Sequence, residues 1–293
     1  MSDKVGFIGM GAIGRPMAAH VARAFETKVW NRTIERAASF AQEHGLRVAA
    51  DPSELVSWAD VIITCLPTSA DVTAVAHGAA ADWREGQLLV DATSGDPAEA
   101  RELAAWLAAR GVAFVDAPVS GGTTGAEAGN LTVMLGGEPP HVGRAETVVR
   151  PYSGKIRHVG PVGAGHALKA INNALLAVNI QAAGEGLAAL VKLGVKGAVA
   201  LEVINASSGY SNVSQNLIPE RVLTRAWPRT FRLALLDKDV GVALKVLEDT
   251  GVPHDAISVA KQALGKARAV LGEEADHVEL IKQIEKAAGV VIE

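Results

Sequence analysis

The sequence predicts an α/β fold: a doubly wound, mostly parallel sheet in the first half and an all-helical second half opened by one long helix. Three observations lead to it. Short β-branched runs alternate with alanine-rich stretches from residue 5 to about residue 159. The first of these runs feeds directly into Gly9-x-Gly11-x-x-Gly14 and a helix-forming stretch with Pro16 in its first turn. After Gly160-Pro161-Val162-Gly163 the strand signal stops, and helical periodicity continues to the end of the chain.

Taken in order, strands are expected from residue 5, then over 27–30, 61–65, 88–91, 113–115, 131–135 and 156–159. No clear crossover helix precedes 131–135, which follows the glycine-rich segment 121–129, so its direction is left open. The boundary is placed at 161/162, with a dinucleotide-binding domain over 1–161 and a helical substrate and oligomerisation domain over 162–293. A helix over 164–193, stopped by Gly194, would be about 45 Å long at roughly 1.5 Å per residue. Further helices are expected over 197–207, 214–224, 231–248, 255–271 and 278–288.

The glycine triplet after a first strand is the dinucleotide-binding signature of the Rossmann fold. Gly9 serves the tight turn, Gly11 the approach of a pyrophosphate, and Gly14 close helix–strand packing, with Met10, Ala12 and Ile13 completing the loop. Phosphates would then face the free N–H groups of a helix N-terminus. Where an NAD site carries a carboxylate for the ribose 2′-hydroxyl, this chain has Asn31, Arg32 and Thr33. A neutral amide, a guanidinium and a hydroxyl favour NADP, with NAD still open and with Arg32 as a plain surface residue as the alternative. In the second half, Lys169 and Asn173 are four residues apart and share a helix face. Lys169 is the candidate acid–base for an alcohol, and His166, one turn earlier, is its rival.

Composition excludes several other classes. Across 293 residues the net charge is −4 with no basic stripe, so neither nucleic acid nor a membrane surface is an expected partner. Cys65 is the sole cysteine, and no His/Asp/Glu set stands at ligand spacing near these motifs, so no disulfide framework and no metal is expected. The apolar run 170–190 is broken by Asn172, Asn173, Asn179, Gln181 and Glu185, which suits a buried helix and not a lipid-facing one. The apolar start holds four glycines, Arg15 and Pro16 and does not read as a signal peptide, so a cytoplasmic enzyme is expected.

Four motifs in order, Gly6-Phe7-Ile8-Gly9-Met10-Gly11-x-x-Gly14-x-Pro16-Met17, Asp116-Ala117-Pro118-Val119-Ser120-Gly121-Gly122, Gly163-x-Gly165-x-x-x-Lys169-x-x-Asn172-Asn173 and Lys238-Asp239-Val240, make the chain resemble the β-hydroxyacid dehydrogenase family from end to end. The resemblance implies that Lys169 is the catalytic acid–base, that Ser120, Gly121 and Gly122 hold a substrate carboxylate, and that Asn173 contacts the substrate. It also implies that Leu66 and Pro67 line the dinucleotide, that Asp71 lies near it, that Thr93 approaches the nicotinamide, and that Lys238 reaches the site from the helical domain. The implied reaction is oxidation of a short 3-hydroxy carboxylate, 3-hydroxyisobutyrate foremost, to its semialdehyde. Tartronate semialdehyde, succinic semialdehyde, serine and 3-hydroxypropionate are sibling substrates. Tyr210 and Asn130 depart from the family pattern and leave the exact hydroxyacid open. A non-catalytic NADP-binding sensor is the alternative of another class, and retention of Lys169 speaks against it. The alanine-rich long helix suggests a homodimer or homotetramer.

Overall fold

The computed structural model describes residues 3–293. The strands are β1 (Val5–Ile8), β2 (Thr27–Trp30), β3 (Arg47–Val48), β4 (Val61–Thr64), β5 (Leu88–Asp91), β6 (Ala113–Asp116), β7 (Val119–Ser120), β8 (Leu131–Gly136) and β9 (Ser153–Gly160). They form one sheet in the order β3-β2-β1-β4-β5-β6-β8-β7, with β9 beside β8. From β3 through β6 every pairing is parallel. β1, β4 and β5 are buried along their whole length, which is why they read as continuous apolar runs and not as alternating ones. Alternate residues feed cores on opposite faces: Val61 and Ile63 join Phe7, Met17 and Val90, while Ile62 joins Ile8, Leu55 and Leu89.

The direction left open for residues 131–135 resolves as two different pairings. β8 runs antiparallel to β6 and β7 and parallel to β9. β6 and β7 keep one register against β8, with Asp116 opposite Gly136 and Val119 and Ser120 opposite Val133 and Thr132, so they run the same way and the chain turns back over residues 121–130. β3 and β7 are two residues each, below the length at which periodicity registers, and the sequence pattern does not show them.

Helix starts follow the sequence chemistry. Asp51 and Asp96 cap the helices Pro52–Trp58 and Pro97–Ala108 with side-chain oxygens on backbone N–H groups, each ahead of a proline that needs no donor. The helix Gly14–Ala22 lies close on the sheet, because a Cβ on Gly14 would strike the Gly9 carbonyl oxygen.

The chain divides into two compact units, one ending at Lys169 and one spanning Ala170–Glu293. The division falls inside the long helix Ala164–Lys192, beyond the junction that the sequence marks at 161/162. The second unit is helical, with Gly197–Asn205, Leu233–Thr250, Asp255–Leu271 and Leu280–Ala288, and a π-helix over Val213–Leu223 that contains Pro219. Its core gathers Ala174, Ala177, Ile180 and Leu187 from the long helix with Leu236, Val240, Leu264 and Ile281. That helix is apolar and long enough to cross a membrane by length and composition. Its buried residues recur at helical spacing, while Leu168 and Leu175 on the other side are exposed. It is therefore buried along one stripe only.

Gly14→Ala is expected to cost about 1–3 kcal/mol in urea unfolding, because its new methyl meets backbone and not a movable side chain. Gly11→Ala, at a position where a Cβ meets nothing within 4 Å, is expected to leave unfolding unchanged while weakening dinucleotide binding in a fluorescence titration.

Candidate active site

The sheet order reverses between β1 and β4, and ligands of open parallel sheets bind outside the carboxyl ends of strands at such a point. Here the loop Gly9–Gly14 leaves β1, and Leu66 and Pro67 follow β4. Gly9 has φ +110°, and a Cβ on it would strike the Cys65 carbonyl, so the loop cannot form with another residue there. Gly11 faces open space, and the first turn of the following helix carries no acidic residue, so the N–H groups and dipole at this end suit a phosphate.

Asn31 stands at the end of β2, beside the glycine loop. Its Oδ1 accepts from the Met10 N–H at 2.9 Å and its Nδ2 donates to the Thr33 carbonyl at 2.8 Å. The amide therefore braces the glycine loop against the turn after β2. Arg32 is the exposed cation of the trio, with its side chain 82% accessible and Nη1 3.4 Å from Asp71 Oδ1. Thr33 precedes the helix Ile34–His44. Asp71 also exchanges hydrogen bonds with Thr68, the cap of the helix Ser69–Gly78. It thus stands beside Arg32 as a neighbouring carboxylate. Thr93 is 1% exposed and lies beneath the loops: its Oγ1 accepts from the Leu66 N–H at 3.1 Å, so it holds the Leu66 turn in place and presents no free face.

Two buried carboxylates at the ends of β5 and β6 organise the rest. Asp91 Oδ1 accepts from Thr64 Oγ1 at 2.8 Å and from the Thr93 N–H at 3.0 Å, and Asp91 Oδ2 lies 3.3 Å from His166 Nε2. Burial opposes its ionisation, but His166, Thr93 and Thr64 outweigh that and hold the carboxyl below the usual range. Asp116 accepts from the Gly163 N–H at 2.7 Å and from the His166 N–H at 2.9 Å, which caps the long helix. Burial dominates there, over the opposing effects of His166 and those two N–H groups, and pushes the Asp116 carboxyl upward. Cys65 is an inert thiol, pushed up to about 12 by burial and then by the Asp91 charge. His166 has no exposed surface, so it is not available to a substrate, and Lys169 is the acid–base candidate that remains.

The helix start sits against the segment that leads to Ser120. A Cβ on Gly165 would strike the Met134 carbonyl and Asp116, and would crowd Pro118 at 3.1 Å. Ser120 pairs with Thr132 across β7 and β8, and Gly121 (φ +139°) and Gly122 (φ +65°) then turn the chain into the short helix Gly122–Glu127. His20 Nε2 lies 3.0 Å from the Glu127 carbonyl, tying this helix to the one that follows the dinucleotide loop. Asn130 packs on Gly154, whose missing Cβ leaves its side chain room.

Lys169 is half-buried in the second turn of the long helix, and Asn173 stands one turn further on. Asn173 is buried and donates from Nδ2 to Asp239 Oδ2 at 2.7 Å, while Asn172 donates to Asn173 Oδ1 at 3.2 Å. Lys238 Nζ lies 2.9 Å from Asp239 Oδ1, so it is paired within the helical unit. Asp239 thereby joins the two polar residues expected there. Asp237, by contrast, is bound by Lys261 and Arg268 and is structural. Tyr210 is 60% exposed in the turn before the π-helix. Among the described residues no group of three or more His, Cys, Asp or Glu could hold a metal ion.

Comparison with known proteins joins these features to a family. Residues 4–160 match the model for the NAD binding domain of 6-phosphogluconate dehydrogenase, and residues 163–284 match that for NAD-binding of NADP-dependent 3-hydroxyisobutyrate dehydrogenase. The chain is 33% identical to 2-(hydroxymethyl)glutarate dehydrogenase of Eubacterium barkeri, over 99% of this chain and 98% of that one. The chain belongs to the β-hydroxyacid dehydrogenase family. Among solved structures, Mycobacterium tuberculosis 3-hydroxyisobutyrate dehydrogenase with L-serine superposes with a TM-score of 0.90 at 32% identity, covering 97% of this chain and 99% of that one. Psf3 in complex with NADP+ and 2-OPP superposes at 0.84 and 25% identity, covering 96% and 99%. As a member of the family the protein is an NAD(P)-dependent hydroxyacid dehydrogenase with a Rossmann domain and a helical C-terminal domain.

The family motifs contain Asp116 and Asp239 as well as Lys169 and the Ser120 loop, but they give neither carboxylate a role, and Asp91 lies outside them. Their signal was available in part: Asp91 and Asp116 each end an apolar strand, where a carboxylate is out of place unless it is bonded. Because its carboxyl is held below the ordinary value, Asp91 contributes stability that is present above about pH 4 and lost as the pH falls through the depressed value. Asp91→Asn is expected to lower stability at pH 7 by about 1.5–3 kcal/mol and to flatten the acid limb, read as melting temperature against pH.

Proposed function

We propose that the protein oxidises a 2-substituted 3-hydroxypropanoate to its semialdehyde, reversibly, with NADP as the preferred cofactor and Lys169 as general acid and base. The observation that carries this is the setting of Lys169. Asp116 caps the helix start, Gly165 seats it against the Ser120 segment, and Lys169 and Asn173 follow on one face. When bound, the nicotinamide supplies the hydride acceptor for oxidation and the donor for reduction. Lys169 takes the hydroxyl proton during oxidation and returns it in the reverse direction. The Ser120 hydroxyl and the backbone of Gly121 and Gly122 bind the carboxylate, both glycines having a positive φ, the kind of turn from which backbone N–H groups form anion nests. Asn173, held by Asp239, orients the substrate.

The names of the relatives support this substrate class. 3-Hydroxyisobutyrate, serine and 2-(hydroxymethyl)glutarate all carry a primary alcohol one carbon from the carbon that bears the carboxylate, and they differ in the substituent at that middle carbon. An anion site and an acid–base at fixed separation read the shared part. 3-Hydroxyisobutyrate, with a methyl at that carbon and so the least polar of the three, is the substrate we propose. The residues present fit a dinucleotide, since Gly11 opens the loop and the Gly9–Gly14 turn leads into a helix N-terminus. Preference for NADP rests on exposed Arg32, with the carboxylate of Asp71 opposing it. The exposed apolar side of the long helix, with Leu168 and Leu175, supports self-association as a homodimer or homotetramer.

Lys169→Ala is expected to lower kcat by about 100-fold or more while NADPH affinity stays near wild type. Wild-type turnover in that variant would end the assignment. Arg32→Asp is expected to weaken NADPH by about 10–100-fold, from loss of a charged hydrogen bond, and to leave NADH nearly unchanged. Asp71→Asn is expected to tighten NADPH severalfold relative to NADH, since it removes a like charge from the phosphate side of Arg32.

A further inference from the structure

Asp116 caps the start of the long helix through the Gly163 and His166 N–H groups, and the Ala164 N–H goes to the Pro161 carbonyl. The His166 side chain is therefore not needed to cap it. Yet the imidazole is wholly buried, and the fold makes room for it: a Cβ on Gly95 would come within 2.9 Å of His166 Nε2. Its ring lies 3.3 Å from Asp91 Oδ2, and the other Asp91 oxygen holds Thr64 and the Thr93 N–H. Thr93 in turn receives the Leu66 N–H. One string of polar contacts thus runs from the turn after β4, through the end of β5, to the first turn of the long helix. Lys169 follows His166 by three residues, on the adjoining part of the same face.

We propose that His166, seated on Asp91, is a positioning residue for Lys169: it sets the rotation of the long helix about its axis and so the place of the amine. This rests on the reading of Lys169 as the acid–base. The magnitude makes the device consequential. An amine at the end of a lysine lies roughly 8 Å from the helix axis, so a rotation of about 10° moves it by more than 1 Å. A displacement on the order of 1 Å can cost about 100-fold in rate. A capping carboxylate fixes the end of a helix but leaves rotation to the side chains that key into the sheet. His166 is the polar key, and Asp91 is its seat.

The test compares His166→Asn with His166→Gln. The glutamine amide nitrogen stands where Nε2 stands and can still donate to Asp91, whereas the shorter asparagine cannot reach it. Each variant is measured for kcat, for KM of the hydroxyacid, for NADPH affinity by fluorescence titration and for melting temperature, with Lys169→Ala in the same series. The expected result is a fall in kcat of about 10-fold or more in His166→Asn, with NADPH affinity unchanged, and recovery of most of kcat in His166→Gln. Wild-type kcat in a folded His166→Asn overturns the proposal. So does a loss in both variants that tracks the melting temperature and the NADPH affinity, since that pattern is structural damage. If Lys169→Ala is also fully active, the acid–base reading falls first. If Lys169→Ala is inactive and His166→Asn is not, the positioning role alone falls.

Discussion

The structure turns on carboxylates at the carboxyl ends of two adjacent parallel strands. Asp91 closes β5 and Asp116 closes β6, side by side in register, and both are buried. A buried anion is costly unless it is hydrogen-bonded, and each of these is. Asp116 receives the unsatisfied N–H groups of the longest helix, and Asp91 receives two threonine groups and faces one histidine. The polar groups that a helix start and two loop ends would otherwise leave unpaired are thereby matched to charges that the sheet must also satisfy.

The glycines complete this arrangement by absence. Gly14 and Gly165 let a helix approach a carbonyl, and Gly95 leaves space for the imidazole, so side chains at these points would push apart the parts that the carboxylates draw together. Gly11 differs, because nothing of the protein fills the space before it. That contrast separates packing from binding within one short motif. A family signature is commonly read as a single functional unit, and here two of its glycines serve the fold and one faces the ligand side.

Chemistry in the family follows from holding few groups well. The amine of Lys169 and the amide of Asn173 are spaced by the helix itself, and Asp239 orients the amide from a neighbouring helix of the same unit. Lys238 is paired with that same carboxylate, so the polar residues of the helical unit form a connected set and not independent contacts. Arg32 and Asp71 show the opposite logic at the surface, where exposure leaves the ion pair weak and the cation accessible.

Much of this was legible in the residues alone. Continuous apolar runs mark β1, β4 and β5 because a parallel sheet buries both faces, and Gly194 marks the end of the long helix, whose last helical residue is Lys192. The glycine triplet with Lys169 and Asn173 was enough to point to a dinucleotide and an acid–base, since spacing along a strand–turn–helix is local. What the tertiary structure decided is nonlocal. That the Asn31 amide accepts from the Met10 N–H, 21 positions away in the chain, is visible only once β1 and β2 are paired. His166 rivals Lys169 as the acid–base in the sequence, and the fold buries His166 completely. β7 and the antiparallel course of β8 depend on a pairing that two-residue strands cannot announce. Local pattern specifies which groups are present and how an element spaces them; only the packing of distant elements determines which of those groups are occupied by the protein itself and which are left for the substrate.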